Sequence, residues 1–183
     1  LDDPDLAHML AERVDAVTFE IEAIPDVLLD ALAALQAQGA ITVNPDPRVL
    51  RLLKNKALQK DWLMAQGFPT LPYTILEQPV EERQALLSSM VPPLVQKAQQ
   101  GGYDGYGVQV LPTEKSLAEL WPVPSIFEPF LESVREIAVL AARSVTGEVQ
   151  TYAPVDLRFD PAENILDLVI APADLSAGLT ADT

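Results

Sequence analysis

Glycine is concentrated in one short segment, between two stretches that have the pattern of β-strands. Four of the eight glycines fall within seven residues: Gly101, Gly102, Gly105 and Gly107. A glycine-rich loop between antiparallel strands can close over a triphosphate, because its backbone N–H groups reach phosphate oxygens where no Cβ intervenes. Lys97, on the strand that leads into the loop, could add a positive charge for those phosphates. A flexible hairpin would explain the same glycines about as well, and the spacing matches neither a Walker A nor a strand-to-helix GxGxxG motif.

Two glutamates stand in strand-like segments downstream of this loop. Glu128 lies within the apolar segment Ile126–Leu131, and Glu136 opens the segment that runs on to Val139. A strand edge can offer backbone groups to a purine, and carboxylates can accept hydrogen bonds from its amine or from ribose hydroxyls. The two glutamates therefore fit a nucleoside pocket. They fit ordinary surface positions at strand ends equally well.

Basic residues are also clustered, although the chain is acidic. Five of the twelve Lys and Arg residues fall between Pro47 and Gln66: Arg48, Arg51, Lys54, Lys56 and Lys60. The cluster could contact an anionic ligand, or it could be a solvated helix face, since its first three members recur at i, i+3 and i+6. The second interpretation is favoured for the cluster as a whole, while Lys56 and Lys60 stay open as ligand contacts.

The overall composition excludes several classes of function. Twelve basic residues against 27 acidic ones in 183 give a formal net charge of −15, which argues against partners such as nucleic acid or an anionic membrane. The chain has no cysteine, which excludes a thiolate nucleophile and fits a reducing, cytoplasmic location. The one histidine, His8, is predicted to be a surface or helix-packing residue. No metal ligand is predicted, and no apolar run approaches the length of a membrane span.

Helices and short strands alternate along the first 71 residues. The pattern predicts helix, strand, helix and strand, followed by the basic helix: Pro4–Arg13, Ala16–Ile21, Pro25–Gln38, Ile41–Val43 and Pro47–Gln66. Pro25 suits a first helical turn, and Gly39 suits a left-handed helix stop. Alternation of this kind predicts parallel strands joined by crossover helices. Residues 1–71 are therefore interpreted as the tail of a larger α/β domain with linker helices.

The order of elements changes after Gly67, Pro69 and Pro72, which mark a domain boundary. Residues 72–125 predict a small α+β module: Tyr73–Leu76, Val80–Met90, Leu94–Ala98, Val108–Leu111 and Glu114–Trp121. Residues 126–183 begin with the strand Ile126–Phe130 and predict an incomplete antiparallel domain: Arg135–Arg143, Glu148–Arg158, Ile165–Ile170 and a helix from Leu175. The fold class is therefore a mixture of α/β and α+β.

In their order along the chain, these segments resemble the ATP-grasp fold. Lys97 with GGYDGYG, then IFEPFL, then REIAVLAARS resemble the carboxyaminoimidazole ribonucleotide synthetase family in particular. Four further segments resemble the same family in the same order: VDAVTFEIEAIP, NPDPRVLRLLKNKALQK, GFPTLPY and ILDLVIAPADLS. The resemblance spans nearly the whole chain and implies an internal piece of a longer enzyme. It also implies three parts, namely the Rossmann-like tail, a small lid and the start of a larger antiparallel domain.

The resemblance assigns ligand contacts to individual residues. It implies that Lys56 and Lys97 contact ATP phosphates, that Gly101–Gly107 cover them, and that Glu136 holds the ribose. The implied adenine pocket consists of four consecutive residues: Glu128, Pro129, Phe130 and Leu131. Within the loop, Tyr103 and Asp104 are expected nearest the acceptor substrate. No catalytic residue is assigned.

Some positions depart from the family pattern. Lys56 replaces an arginine, which keeps the charge but loses the bidentate fork. Tyr106 stands where a basic residue is usual, and Gln99 and Gln100 replace basic or hydroxyl residues. Charge that would hold phosphate or substrate is therefore missing.

The resemblance also implies a reaction. ATP and magnesium would activate bicarbonate as carboxyphosphate, and the carboxyl group would pass to the amine of aminoimidazole ribonucleotide in purine biosynthesis. Magnesium ligands are expected outside this chain, and a homodimer is a further expectation. Two alternatives stay open: a non-catalytic or decayed ATP-grasp module that binds nucleotide, and another ATP-grasp carboxylase or ligase.

Overall fold

The computed structural model describes residues 3, 5–102, 106–132, 134–160 and 165–175. The chain divides into two compact units. The first unit comprises Leu1–Gly102 and Gly107–Phe130, and the second comprises Tyr103–Tyr106 and Leu131–Thr183. The predicted parts 1–71 and 72–125 both contribute to the first unit, and the three-part division stays a prediction.

The first unit begins with two short parallel strands and two helices: α1 (Asp5–Ala11), β1 (Ala16–Val17), α2 (Asp26–Ala37) and β2 (Thr42–Val43). The apolar face of α2 packs with α1 and β2 through a buried cluster that includes Leu28, Leu32 and Val43. Strand β1 is shorter than the predicted Ala16–Ile21, because β2 offers it only two partner residues. His8 is exposed on α1.

The structure divides the predicted helix Pro47–Gln66 into α3 (Pro47–Lys54) and α4 (Lys56–Ala65). Asn55 separates them with an extended backbone, φ −117° and ψ 109°. Its side chain accepts hydrogen bonds from the N–H groups of Ala57 and Leu58, so it caps α4. Asparagine favours this role because its short side chain satisfies the unpaired donors of a first helical turn.

A four-stranded antiparallel sheet forms the rest of the first unit, in the order β3-β6-β4-β5. Its strands are β3 (Thr74–Leu76), β4 (Leu94–Ala98), β5 (Val108–Leu111) and β6 (Ser125–Pro129). Helix α5 (Arg83–Ser89) and a 3₁₀ helix (Glu114–Glu119) accompany the sheet. A buried cluster including Phe127, Leu94 and Leu117 fills one face of the sheet.

Gln96 is fully buried in β4, and its amide is satisfied. It donates to Ser125 Oγ at 2.9 Å and to the Trp121 carbonyl at 3.1 Å, and it accepts from the Trp121 N–H. Gln109 of β5 donates to the same Gln96 oxygen at 2.6 Å. Because a buried amide without partners would be costly, these contacts fix β4 between its two neighbours.

The second unit contains five antiparallel strands among the described residues: β7 (Glu136–Ala138), β8 (Ala141–Arg143), β9 (Val149–Thr151), β10 (Val155–Phe159) and β11 (Leu166–Ile170). They form a sheet in the order β11-β10-β7 and a β8-β9 hairpin. Two predicted long strands are thus each divided in two. Pro154, which has no N–H to donate, lies between β9 and β10. β9 pairs with β8, whereas β10 pairs with β7, so the predicted strand Arg135–Arg143 is divided as well. Leu175 is the last described residue, so the rest of the helix predicted to begin there lies outside the described residues.

Candidate functional site

Glu128 lies between two lysines in the first unit. Its Oε2 is 2.5 Å from Lys97 Nζ, and its Oε1 forms a second ion pair with Lys60. The Glu128 side chain is 2% exposed, against 15% for Lys60 and 33% for Lys97. Neither carboxylate oxygen has a hydrogen bond of ordinary geometry, so the two ammonium groups balance its charge as ion pairs.

The strand pattern explains why Lys97 and Glu128 meet. Side chains alternate between the two faces of a strand, so the residues next to buried Gln96 and Phe127 point away from the core. In the register of β4 and β6, Val95 is opposite Glu128 and Lys97 is opposite Ile126. Lys97 and Glu128 are therefore diagonal neighbours on one face of the sheet.

Helix α4 brings Lys60 to the same face. The Lys56 N–H at the start of α4 donates to the Gln99 carbonyl just after β4, at 2.9 Å. This hydrogen bond ties the helix start to the end of the strand that carries Lys97. Lys60, one helical turn further on, reaches Glu128 of β6.

Lys60 has further partners around its ammonium group. It donates to Thr70 Oγ1 at 2.5 Å and lies 5.8 Å from the centre of the Tyr73 ring. The Tyr73 hydroxyl in turn donates to Asp61 at 2.5 Å, and this hydrogen bond with burial and the nearby charge raises the pKa of Tyr73 to about 12. Cations are attracted to the face of an aromatic ring at this distance, so Lys60 is held from several sides.

The two lysines keep Glu128 ionised. Burial alone would raise the pKa of Glu128, but the close ion pairs with Lys60 and Lys97 outweigh it and lower the pKa below its ordinary value. Glu128 is therefore a buried anion at neutral pH. Two cations surround it, so the three side chains carry a net positive charge.

The lowered pKa predicts a specific pH dependence of stability. A carboxyl with a lowered folded-state pKa stabilises the fold above its unfolded-state pKa, and this contribution is lost as the pH falls through the folded value. The free energy of unfolding of the wild type should therefore fall toward that of Glu128→Gln as the pH is lowered from about 7 to about 3. Urea unfolding at a series of pH values measures the difference, with exposed Glu81→Gln as the control. Parallel stability curves for wild type and Glu128→Gln would contradict the assignment.

An open cavity of about 550 Å³ lies against this group. Lys60, Lys97 and Glu128 line it together with Pro69, Thr70 and Leu71. Its charged wall carries two ammonium groups and one carboxylate, which favours an anionic ligand over a cationic one. The cavity is large enough for part of a nucleotide, because ligand pockets commonly span roughly 300–1,000 Å³.

The glycine-rich loop leaves β4 next to Lys97. Gly101 and Gly107 both have φ of +77°, which residues with a Cβ rarely adopt. A Cβ on Gly107 would also lie 3.1 Å from the Gly102 Cα, and the Gly107 carbonyl accepts from the Ala98 N–H at 2.8 Å. The base of the loop is therefore narrow and depends on glycine. Tyr103, Asp104 and Gly105 lie outside the described residues.

The other predicted contacts are dispersed. Lys56 is half-buried at the start of α4, and Pro129 is half-buried at the end of β6. Phe130 is 37% exposed, and its N–H is already used by the Pro93 carbonyl at 3.0 Å. That N–H is therefore already paired within the chain, and the adenine contact of this strand edge stays a prediction.

Among the described residues, three predicted site residues belong to the second unit. Leu131 and Tyr106 are exposed, and Glu136 is exposed at the start of β7. Beside Glu136, Arg135 makes a bidentate ion pair with buried Asp156, with both N–O distances 2.6 Å. This pair anchors the start of β7 on β10 and so fixes the backbone that carries Glu136.

The rest of the basic cluster is engaged in ion pairs with carboxylates. Arg51 pairs with Asp30 and Lys54 with Asp26, and both carboxylates are on α2. Arg48 pairs with Asp46, whose pKa falls to about 2 because Arg48 donates to it from its side chain and its backbone. Arg51 and Lys54 therefore attach α3 to α2, and Arg48 pairs with Asp46, the residue that caps the start of α3. Gln99 likewise has a structural contact, because its amide donates to Glu77 at 3.1 Å.

Sequence reasoning did not find the contact between Lys60 and Glu128. The available signal was that Lys60 follows Lys56 by one helical turn, so both can share a helix face. In the part of the chain that the structure describes, no group of three His, Cys, Asp or Glu residues could hold a metal ion. No helix in that part is long and apolar enough to cross a membrane.

The antiparallel sheet, the glycine loop and the lysines beside them are the features of a nucleotide-binding fold. The model of the ATP-grasp domain matches residues 61–183, which is more than half of the chain. The chain belongs to the ATP-grasp family.

Several similar proteins and solved structures carry the name N5-carboxyaminoimidazole ribonucleotide synthase or synthetase. The N5-carboxyaminoimidazole ribonucleotide synthase of Synechocystis is 32% identical over 177 residues, which cover 94% of this chain and 42% of the relative. The ADP complex of an N5-carboxyaminoimidazole ribonucleotide synthetase matches with a TM-score of 0.86 at 26% identity, over 99% of this chain and 47% of that chain. The ATP complex of the Aspergillus clavatus enzyme matches with a TM-score of 0.84 at 25% identity, over 98% and 47%. The chain therefore spans less than half the length of these relatives.

Proposed function

We propose that this chain is the ATP-binding part of an N5-carboxyaminoimidazole ribonucleotide synthase. The observation that carries the proposal is the cationic cavity beside Lys97, at the point where β4 enters the glycine loop. Relatives of the same name have been solved with ADP and with ATP, which supports a nucleotide as the ligand. A cytoplasmic location is part of the proposal.

In the proposed reaction, bicarbonate attacks the γ-phosphorus of ATP, giving carboxyphosphate and ADP. The amine of aminoimidazole ribonucleotide then attacks the carboxyl carbon, and inorganic phosphate leaves. Lys97 and Lys56 would neutralise phosphate charge, and the loop Gly101–Gly107 would exclude water from the labile intermediate. Tyr103 and Asp104 would lie nearest the acceptor.

The resemblance to the family supplies the proposed contacts of the nucleoside. Glu128 and the segment Pro129–Leu131 would lie against adenine, although the Phe130 N–H is already engaged in the sheet. Glu136 would accept hydrogen bonds from the ribose hydroxyls, since its carboxylate is exposed. Magnesium would accompany ATP, but the described residues contain no group of three His, Cys, Asp or Glu that could hold it.

A chimera tests the proposed reaction. The matching segment of the Synechocystis synthase is replaced by this chain, and ADP release is measured with and without bicarbonate and aminoimidazole ribonucleotide. We expect ADP release that requires both substrates. ATP binding without substrate-dependent ADP release would favour the non-catalytic ATP-grasp module instead, and ADP release that depends on another acceptor would favour a different carboxylase or ligase.

A further inference from the structure

Lys60 and Lys97 share one carboxylate, but they are held differently. Lys60 is 15% exposed and contacts Thr70 and the Tyr73 ring as well as Glu128. Lys97 is 33% exposed, and among the described residues its one ion pair is with Glu128. Lys97 can therefore turn into the cavity at a smaller loss of contacts than Lys60.

The charge of Glu128 has to stay balanced when Lys97 turns into the cavity. Removing one partner of a buried ion pair is strongly unfavourable, because the remaining charge is left without compensation. If Glu128 had Lys97 alone, a phosphate that attracted Lys97 would leave a buried carboxylate unpaired. With Lys60 fixed on the other oxygen, Glu128 stays balanced when Lys97 moves.

We propose that Lys60 is a positioning residue that holds the charge of Glu128, so that Lys97 is free to bind the phosphates of the nucleotide. This inference rests on the proposed function, because it takes the anion that Lys97 binds to be the triphosphate of ATP. In this arrangement Lys60 acts through Glu128 and does not itself contact the phosphates.

The first test compares ATP with adenosine, which lacks the phosphates. Lys60→Met should weaken ATP binding about tenfold, while adenosine affinity stays nearly constant, because Lys97 then has to remain on Glu128. Lys60→Arg keeps the charge and should stay within about threefold of the wild type. Lys54→Met is the matched control, since it removes another lysine that forms an ion pair in the first unit. Titration calorimetry measures the affinities, and thermal melts verify folding.

The second test separates positioning from direct contact. In the double variant Lys60→Met/Glu128→Gln the carboxylate charge is gone, so Lys97 should be free again and the ratio of ATP to adenosine affinity should recover. A direct phosphate contact by Lys60 predicts no recovery, and that result would overturn the inference. If Lys60→Met does not fold, Glu128→Gln alone should raise the ratio above the wild-type value, and an unchanged or lower ratio would equally overturn it.

The two proposals fail in different ways. Absence of ATP binding by the wild-type chain would overturn the proposed function and the inference together. Wild-type ATP binding that Lys60→Met weakens no more than Lys54→Met would overturn the inference alone.

Discussion

Replacing Lys97 by methionine is expected to weaken ATP binding by about 10- to 100-fold, because a hydrogen bond to a charged group contributes roughly 1.5–3 kcal/mol. Lys97 lies at the cavity wall and at the entrance to the glycine loop, and its side chain is 33% exposed, so its ammonium group is accessible to a phosphate in the cavity. Adenosine affinity should change little. Lys97→Arg should recover part of the loss, since a planar guanidinium does not occupy the site of a compact ammonium.

Titration calorimetry with ATP, ADP and adenosine measures this effect. Lys115→Met is the control, because Lys115 is exposed on the 3₁₀ helix and also removes one positive charge. An equal loss for ATP and adenosine, or an equal loss in Lys115→Met, would show that Lys97 does not act on the phosphates.

Phe127→Ala is expected to destabilise the first unit by about 3–5 kcal/mol, the usual cost of deleting a buried aromatic side chain. Phe127 is 0% exposed and is part of the apolar cluster on the opposite face of the sheet from Glu128. The same strand thus carries the core residue and the charged site residue. Loss of the core contact should weaken the site indirectly.

Urea unfolding measures the loss, with Val110→Ala as the control. Val110 is 48% exposed on β5 of the same sheet, so its truncation should change stability by about 0.5 kcal/mol or less. A Phe127→Ala variant as stable as Val110→Ala would contradict the packing described for this sheet.

Local sequence signals predicted the two strands beside the glycine-rich loop well. The bounds Leu94–Ala98 and Val108–Leu111 agree with β4 and β5, because both strands end at a glycine-rich or proline-marked turn. The position of Lys97 before the loop followed directly from these bounds. The apolar neighbours of Glu128 also placed it in a strand.

Contacts between distant segments could not be predicted in this way. Lys60 and Glu128 are far apart in sequence, and their ion pair depends on how α4 packs against the sheet. The division at Asn55 was missed because the helical periodicity continues through it, whereas the cap depends on a side-chain hydrogen bond. The ion pairs of Arg51 and Lys54 with α2 are likewise tertiary contacts.

We propose that the phosphates of ATP bind in the cavity lined by Lys60, Lys97 and Glu128. A crystal structure of the chain with a non-hydrolysable ATP analogue tests this directly. We expect phosphate oxygens within hydrogen-bond distance of Lys97 Nζ, with Lys60 still paired to Glu128. A nucleotide bound elsewhere, or phosphates in this cavity with Lys97 still paired to Glu128, would contradict it.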